Sequence, residues 1–348
     1  MLTKKQISEI KEHLERAQNP LFFFDNDQDG LCSFLLLRRY LERGKGVPVK
    51  TFPDLSVDYF RKVKELKTDY IFILDKPVVS KEFWDEIEKV NIPVVWIDHH
   101  PIDRKDIPDF VSYYNPLYNK SAESEPVTDL CYQVTQRKED LWIAVVGCIA
   151  DHYIPGFYKE FMKKYPDLSV DSKKPFDIFY GSPIGSIGKM MGFGLKDSFT
   201  NVINMLKFLI EVKSPYDVLN EDNKNKAIYT RFNEVNEKYQ RLMEKALDNS
   251  PNKVLFFQYG GVMSLSADLA NELSYKFPDK VVVVIYTTGI KANISVRGNK
   301  IRDLVLKAIK GLKDATGGGH ENAVGAKVMI EDLEKFKKKI ESLVEKKK

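Results

Sequence analysis

Three short runs of uninterrupted apolar residues, Leu21–Phe24, Tyr70–Leu74 and Pro93–Ile97, each end directly on an aspartate: Asp25, Asp75 and Asp98. A strand with one face in water alternates apolar and polar residues, whereas one buried on both faces does not. Helix-like segments separate the runs, at about 31–44, 58–66 and 80–90. This alternation predicts an α/β chain that begins with a parallel sheet covered by helices on both faces. In such a sheet ligands bind outside the carboxyl ends of the strands. All three aspartates fall at that edge.

The rest of the chain follows the same logic. Thr3 and Gln6 form a capping-box pattern, and Ile7, Ile10 and Leu14 share one face, so a first helix is expected, with His13 as a surface residue on it. A helix over 138–150 carries Leu141, Val145 and Ile149 at helical spacing. Residues 166–198 are rich in Gly, Ser, Pro and Lys, and Gly181–Ser186 reads as a loop. Helices are expected over 198–212 and 223–248, the second stopped by Asn249–Asn252. A second α/β pattern then begins, with strands at 253–258, 281–286, 292–296 and 326–330 and helices at 266–277, 301–311 and 332–346. The expected organisation is therefore a parallel-sheet domain at 1–185, a helical connector at 186–250 and a smaller C-terminal α/β domain at 251–348.

Composition narrows the class. At 348 residues with 43% hydrophobic content, the chain is long enough for two domains. A formal net charge of +4 is compatible with nucleic-acid binding without arguing for it. The three cysteines, Cys32, Cys131 and Cys148, form no paired motif and read as reduced thiols. With no leader-like start and no apolar run near the roughly 18 residues of a membrane span, the expectation is a soluble cytoplasmic protein without a membrane partner.

The acids carry the chemistry. The first run continues as Asp25-Asn26-Asp27-Gln28-Asp29-Gly30, the third as Asp98-His99-His100, and the helix ending at Ala150 is followed by Asp151 and His152. So many carboxylates in one crevice would repel one another and raise their pKa values. Divalent cations relieve that repulsion, and oxygen with one or two imidazole ligands suits Mn2+ or Mg2+ better than zinc. Two such ions, about 3.5–4 Å apart, are a recurring device for in-line attack on phosphorus. A calcium loop of the EF-hand kind is excluded, because its twelfth position, counted from Asp25, is Leu36 and not Glu. A single Asp after a strand is ordinarily a cap or turn residue; it is the combination that resists a packing explanation.

These runs resemble the motifs of the DHH phosphoesterases. Asp25–Ser33 is similar to the first motif, Leu74-Asp75 to the second, Asp98-His99-His100 to the third and Gly147–Asp151 to the fourth. Late in the chain, Gly317-Gly318-Gly319-His320 resembles the signature of the DHH-associated C-terminal domain, and Ser295-Val296-Arg297 its substrate-contacting strand. The resemblance implies two Mn2+ or Mg2+ ions. Asp27 would bind the first, Asp29 the second, and Asp75 would bridge them, with His99 and Asp151 completing the second position. His100 would be catalytic, near the phosphate as charge stabiliser or general acid, and Asp98 would orient its loop. The family often has His where Asp25 stands; as an oxygen donor, Asp25 would alter the first position's affinity and metal preference. Arg297, Gly317, Gly318, Gly319 and His320 would bind substrate, the glycines by close backbone approach, Arg297 by a bidentate grip, and a helix starting near Glu321 by its positive end.

The C-terminal type directs the substrate expectation. Family pyrophosphatases and exopolyphosphatases carry an SRKK run, which is absent here. The GGGH type accompanies RecJ-like exonucleases, short-oligonucleotide nucleases and cyclic-dinucleotide phosphodiesterases. Cleavage of short RNA or single-stranded DNA from an end is thus the first expectation, and Ser182–Lys189 with its following helix is similar to archaeal members. A replication scaffold with little activity is the second, and the intact acids and histidines argue against it. A small-molecule phosphatase or cyclic-dinucleotide phosphodiesterase, acting on nucleotide bisphosphates or cyclic di-AMP, is the third. A replication or repair protein partner and a homodimer are compatible with the resemblance.

Overall fold

Leu21 and Phe23 point into one core and Phe22 and Phe24 into another, and this two-sided burial is why the first run lacks polar residues. The computed structural model describes residues 1–51, 53–120, 122, 124–247 and 253–346. They divide into two units, Met1–Phe232 and Asn233–Lys348. The expected stop at Asn249–Asn252 lies outside the described residues.

The first unit opens with α1 (Lys4–Arg16), begun by the Thr3–Gln6 capping box. His13 is not the surface residue expected: it is half-buried, its Nδ1 2.6 Å from the Tyr70 hydroxyl. Next come β1 (Pro20–Asp25), α2 (Gln28–Leu41), β2 (Lys45–Val49), β3 (Asp54–Leu55), α3 (Phe60–Glu65), β4 (Tyr70–Leu74), β5 (Val78–Val79), α4 (Lys81–Val90), β6 (Val94–Ile97) and β7 (Val111–Tyr114). The five longer strands make one parallel sheet in the order β2-β1-β4-β6-β7. Phe72, Leu74 and Ile97 join Phe22 and Phe24 against α2 on one face. Ile71, Ile73 and Trp96 join Leu21 and Phe23 against Phe60, Phe83 and Trp84 of α3 and α4 on the other. After β2 the chain returns past β1 to β4, so the direction of strand addition reverses between β1 and β4. The crevice beyond that reversal is where open α/β sheets bind ligands.

The helical half of the unit comprises α5 (Val127–Thr135), α6 (Leu141–Ala150), α7 (Tyr158–Lys164), α8 (Pro175–Gly181), α9 (Pro183–Leu195), α10 (Phe199–Glu211), α11 (Pro215–Leu219) and the start of α12 (Lys226–Leu247). Nine of the ten residues of α6, Leu141–Ile149, are buried, as expected of a helix that is apolar all round. Gly147 allows its approach: a Cβ there would lie 2.2 Å from Thr128 Oγ1 and 2.8 Å from Cys32 Cβ. The loop expected at Gly181–Ser186 is instead a junction between two helices. Ser182 caps α9 through the Gly185 amide and Pro183 occupies its first turn, an arrangement in which Pro costs no hydrogen bond. Gly185 is needed because a Cβ would fall 1.9 Å from the Phe179 carbonyl oxygen. Residues 186–232 of the expected connector pack within this unit. Arg39 ties α2 to α10: it pairs with the buried Asp140 at 2.8 Å and donates to the carbonyls of Leu209, Ile210 and Val212. Cys32, Cys131 and Cys148 are buried free thiols.

The second unit is a smaller mixed sheet. After the remainder of α12 it contains β8 (Val254–Gly260), α13 (Ser266–Lys276), β9 (Val281–Thr288), β10 (Lys291–Arg297), α14 (Arg302–Ile309), β11 (Thr316–Gly319), β12 (Ala323–Met329) and α15 (Leu333–Glu345). The strand order is β11-β12-β10-β9-β8, with β8 and β9 parallel and the other pairs antiparallel. Val305 and Ala308 of α14 and Phe336 and Ile340 of α15 bury against Val283, Ile294, Val296 and Val324. The helix expected to start near Glu321 is absent. Gly317–Gly319 instead form β11 and turn at His320–Asn322 into β12. Gly319 has φ +138, and a Cβ there would sit 2.4 Å from the Ala323 carbonyl oxygen, so the turn itself requires glycine. Among the described residues no helix is long and apolar enough to cross a membrane.

Candidate metal centre

The carboxyl ends of β1, β4 and β6 deliver their side chains to one place, with help from two helices. Asp27 caps α2, its Oδ1 accepting from the Gly30 amide at 2.9 Å. Gly30 is obligatory there, because a Cβ would lie 2.5 Å from the Asp25 carbonyl oxygen. Asp29, in the first turn of α2, is buried and accepts from the Val127 and Thr128 amides at 2.8 and 2.7 Å. These amides open α5, so a helix N-terminus stabilises this carboxylate. Asp151 closes α6. The close packing that Gly147 permits brings that helix end to the cluster.

Three groups of potential ligand atoms result, each within 4.8 Å: Asp25 with Asp27 and Asp75, Asp29 with His99 and Asp151, and Asp75 with His99 and His100. Asp75 belongs to two of them. It stands at φ +58, directly after β4, a left-handed conformation that Asp tolerates better than most residues. Its Oδ1 is buried and accepts no hydrogen bond among the described residues, although His99 Nε2 lies at 3.3 Å and His100 Nδ1 at 4.0 Å. A buried carboxylate oxygen without a donor is costly. A cation at that oxygen would remove the cost.

The electrostatics agree with a cation-binding role. Burial, then repulsion from Asp29, Asp27, Asp25 and Asp151, pushes the Asp75 carboxyl well above the usual carboxylate range. Burial and then Asp29 and Asp27 do the same to Asp151, and burial followed by Asp29 raises Asp27. Asp25 is raised to about 6 by burial and Asp27, against the pull of Lys76. Asp29 is raised to about 6 by burial, even though Thr128 and Val127 hydrogen bonds oppose it. Burial lowers His99 to about 4, helped by His100, which keeps the imidazole neutral and able to ligate. His100 behaves oppositely. Burial depresses it, but its hydrogen bond to Asp98 and the charges of Asp98, Asp25 and Asp27 outweigh that and raise it.

Asp98 holds that loop in place. Its Oδ1 is 2.8 Å from His100 Nδ1, and its Oδ2 accepts from the His100 amide at 3.0 Å and the Tyr113 hydroxyl at 3.3 Å. Asn115 donates to the His100 carbonyl oxygen at 2.8 Å. The oxygen-rich set with one or two imidazoles fits Mn2+ or Mg2+. His152 lies beside the cluster in sequence, at φ +59, with its ring 4.2 Å from that of Phe176.

Sequence reasoning missed one charged member. Lys76, immediately after Asp75, is fully buried, and its Nζ lies 2.8 Å from Asp25 Oδ1 and 2.7 Å from the Thr51 carbonyl oxygen. Its position next to a strand-end aspartate was the available signal. Thr128, Tyr113 and Asn115 were also unforeseen, since hydrogen-bond partners drawn from distant segments leave no local pattern.

Arg297 and Gly317–His320 belong to the second unit and gather at one end of its sheet. Arg297 pairs across the strands with Ala323, whose carbonyl accepts from the His320 amide at 2.9 Å. The guanidinium donates to Asn271 Oδ1 at 2.5 Å and to the Val296 carbonyl oxygen at 2.9 Å.

Comparison with known proteins supplies the lineage. The model of the DHH family N-terminal domain matches residues 21–151, and that of the DHHA1 domain matches residues 251–346. No curated protein matches by sequence. Among solved structures, RecJ from Thermus thermophilus in complex with Mn2+ superposes with a TM-score of 0.69 at 17% identity, covering 97% of this chain and 54% of that one. An exonuclease RecJ bound to manganese gives 0.66 at 16% identity, covering 98% and 94%. A pGpG-specific phosphodiesterase from Vibrio cholerae gives 0.51 at 14% identity, covering 94% and 99%. The chain thus spans just over half of the Thermus protein and nearly all of the other two.

Proposed function

Because the chain belongs to the DHH superfamily of RecJ-like phosphoesterases, we propose that it hydrolyses phosphodiester bonds from an end of short RNA or single-stranded DNA, with two Mn2+ or Mg2+ ions as cofactors. The single observation that carries the metal-dependent reading is the donor-less, buried Oδ1 of Asp75 at the meeting point of the ligand groups. Asp25, Asp27 and Asp75 would hold the first ion, and Asp29, His99 and Asp151, together with Asp75, would hold the second. Divalent ions bound there would supply charge stabilisation and an activated water.

The protein's own residues do the rest. Asp98 engages His100 Nδ1 and fixes the ring, and His100 stabilises the phosphate charge or delivers the proton to the leaving oxygen through Nε2. A site dominated by carboxylates cannot receive a phosphodiester without such positive partners. Arg297 and His320 bind substrate phosphate, and the Gly317–Gly319 backbone allows close approach of a phosphate or base edge. The reading is of a cytoplasmic nuclease. Docking to replication or repair proteins, and formation of a homodimer, are compatible with it.

The test is a Mn2+-dependent cleavage assay with three substrates: dinucleotides, longer single strands labelled at each end, and cyclic di-AMP. Shortening of the single strands from one labelled end supports the proposal. Exclusive turnover of dinucleotides or cyclic di-AMP favours the alternative of a small-nucleotide phosphodiesterase, for which the likeness to the Vibrio fold is the supporting observation. No turnover of any of the three leaves the scaffold reading.

A further inference from the structure

Asp25 ends β1 and Asp29 stands four residues on, in the first turn of α2, yet their charge environments differ in kind. Asp25 faces a lysine and Asp29 faces backbone amides. Lys76 is 0% exposed, and a buried ammonium persists only where an anion and further acceptors compensate it. Asp25 Oδ1 and the Thr51 carbonyl oxygen provide this compensation at 2.8 and 2.7 Å. The segment carrying the lysine is pinned as well, because the Trp96 indole donates to the Lys76 carbonyl oxygen at 3.0 Å. No comparable cation stands on the other side: among the described residues neither Asp29 nor Asp151 pairs with a lysine or arginine.

We infer that Lys76 is a built-in counter-charge that makes the two cation positions unequal, the Asp29–His99–Asp151 position binding tightly and the Asp25–Asp27–Asp75 position weakly. The inference rests on the two-ion reading above. Its physical basis is short-range. A fixed positive charge at hydrogen-bond distance from one ligand oxygen repels an incoming cation and occupies a lone pair that the cation would use. Partial burial weakens the solvent screening that would otherwise hide this repulsion. Asp25 still keeps about a fifth of its side chain exposed, at 20%, so the weak position remains open to exchange with solvent. The enzyme would therefore hold one resident ion and take up the other reversibly.

Mn2+ binding to the full chain, followed at pH 8 by the paramagnetic resonance signal of free Mn2+, tests this without reference to turnover. The wild-type chain should show two classes of site separated by at least about tenfold in Kd, the separation expected when one charge acts at contact range. Lys76→Met should tighten the weaker class by roughly tenfold or more and leave the tighter class in place, whereas Asp151→Asn should loosen the tighter class. Lys76→Gln keeps a hydrogen-bond donor without the charge; it should reproduce the tightening and serves if the Met variant fails to fold by circular dichroism. Two classes of equal affinity in the wild type, or a weaker class unchanged or loosened in both lysine variants, would overturn the inference. Absence of any Mn2+ binding by the wild type would instead sink the two-ion reading beneath it.

Discussion

The strand ends of the first unit and the hairpin end of the second present two kinds of side-chain cluster. In the first, Asp75 and Asp98 are the ends of buried central strands, and Asp29 is locked to the start of α5. Each side chain is fixed by a framework that would have to break before it could move. In the second, Gly317–Gly319 form a four-residue edge strand with Thr316, and His320 is exposed on a turn. Rigid, buried anions suit cations that must be held at fixed separation. An exposed glycine-rich edge suits a ligand that arrives and leaves. The contrast teaches that the two ends should fail differently when altered, one in turnover and the other in affinity.

The largest effect should come from the first end. Replacing Asp75 and His99 together by Ala is expected to lower Mn2+-dependent cleavage by at least about a thousandfold, since several kcal/mol of transition-state stabilisation depends on the ions. Circular dichroism should show the fold retained; undiminished cleavage would break the assignment. Next is Arg297→Ala, expected to raise KM by roughly tenfold to a hundredfold, the worth of a charged hydrogen bond, with kcat little changed. A fall in kcat at constant KM would move Arg297 out of the binding role and blur the contrast.

A third test uses pH. Asp25 and Asp29, each raised to about 6 in the fold, bind protons more tightly there than in the unfolded chain. Their contribution to stability is therefore fully present below the ordinary carboxylate pKa near 4 and is lost as pH rises through about 6. His100, also raised, acts in the same direction, and His99, lowered to about 4, acts in the opposite one. Metal bound as proposed would reverse the carboxylate loss. The rise in Tm on adding Mn2+ should be small at pH 5 and several degrees at pH 8; a rise independent of pH would separate the ions from these carboxylates. The smallest effect is Gly319→Ala, expected to cost about 1–2 kcal/mol through its positive φ and to appear in denaturant unfolding as a loss confined to the second unit.

The sequence was most legible where chemistry and geometry share a period. Leu21–Phe24, Tyr70–Leu74 and the run to Ile97 declared buried strands because both faces are covered, and each aspartate marked the edge where the strand ends. The edge strands were not legible. Lys45–Val49 contains Gly46 and Pro48, and Val111–Tyr114 is four residues long with two of them only half-buried, so neither shows a clean pattern. Composition misled at Ser182-Pro183, where residues that usually mark loops are a helix cap and a first turn. It misled again after His320, where a hairpin takes the place of the expected helix. Lys76 was beyond reach for another reason. Whether a lysine is solvated or buried beside a carboxylate is decided by which segment covers it, here the carbonyl of Thr51 and the indole of Trp96, and neither is a neighbour in sequence.

The donor-less oxygen of Asp75 has a consequence for how the protein comes apart. A polar atom left hungry at the end of a central strand is a flaw at the middle of the sheet, whereas proteins ordinarily loosen from their margins. If cations satisfy that oxygen, adding Mn2+ should slow amide-hydrogen exchange around residues 75–77 and 98–100 more than at the outer helices, mending a seam from within.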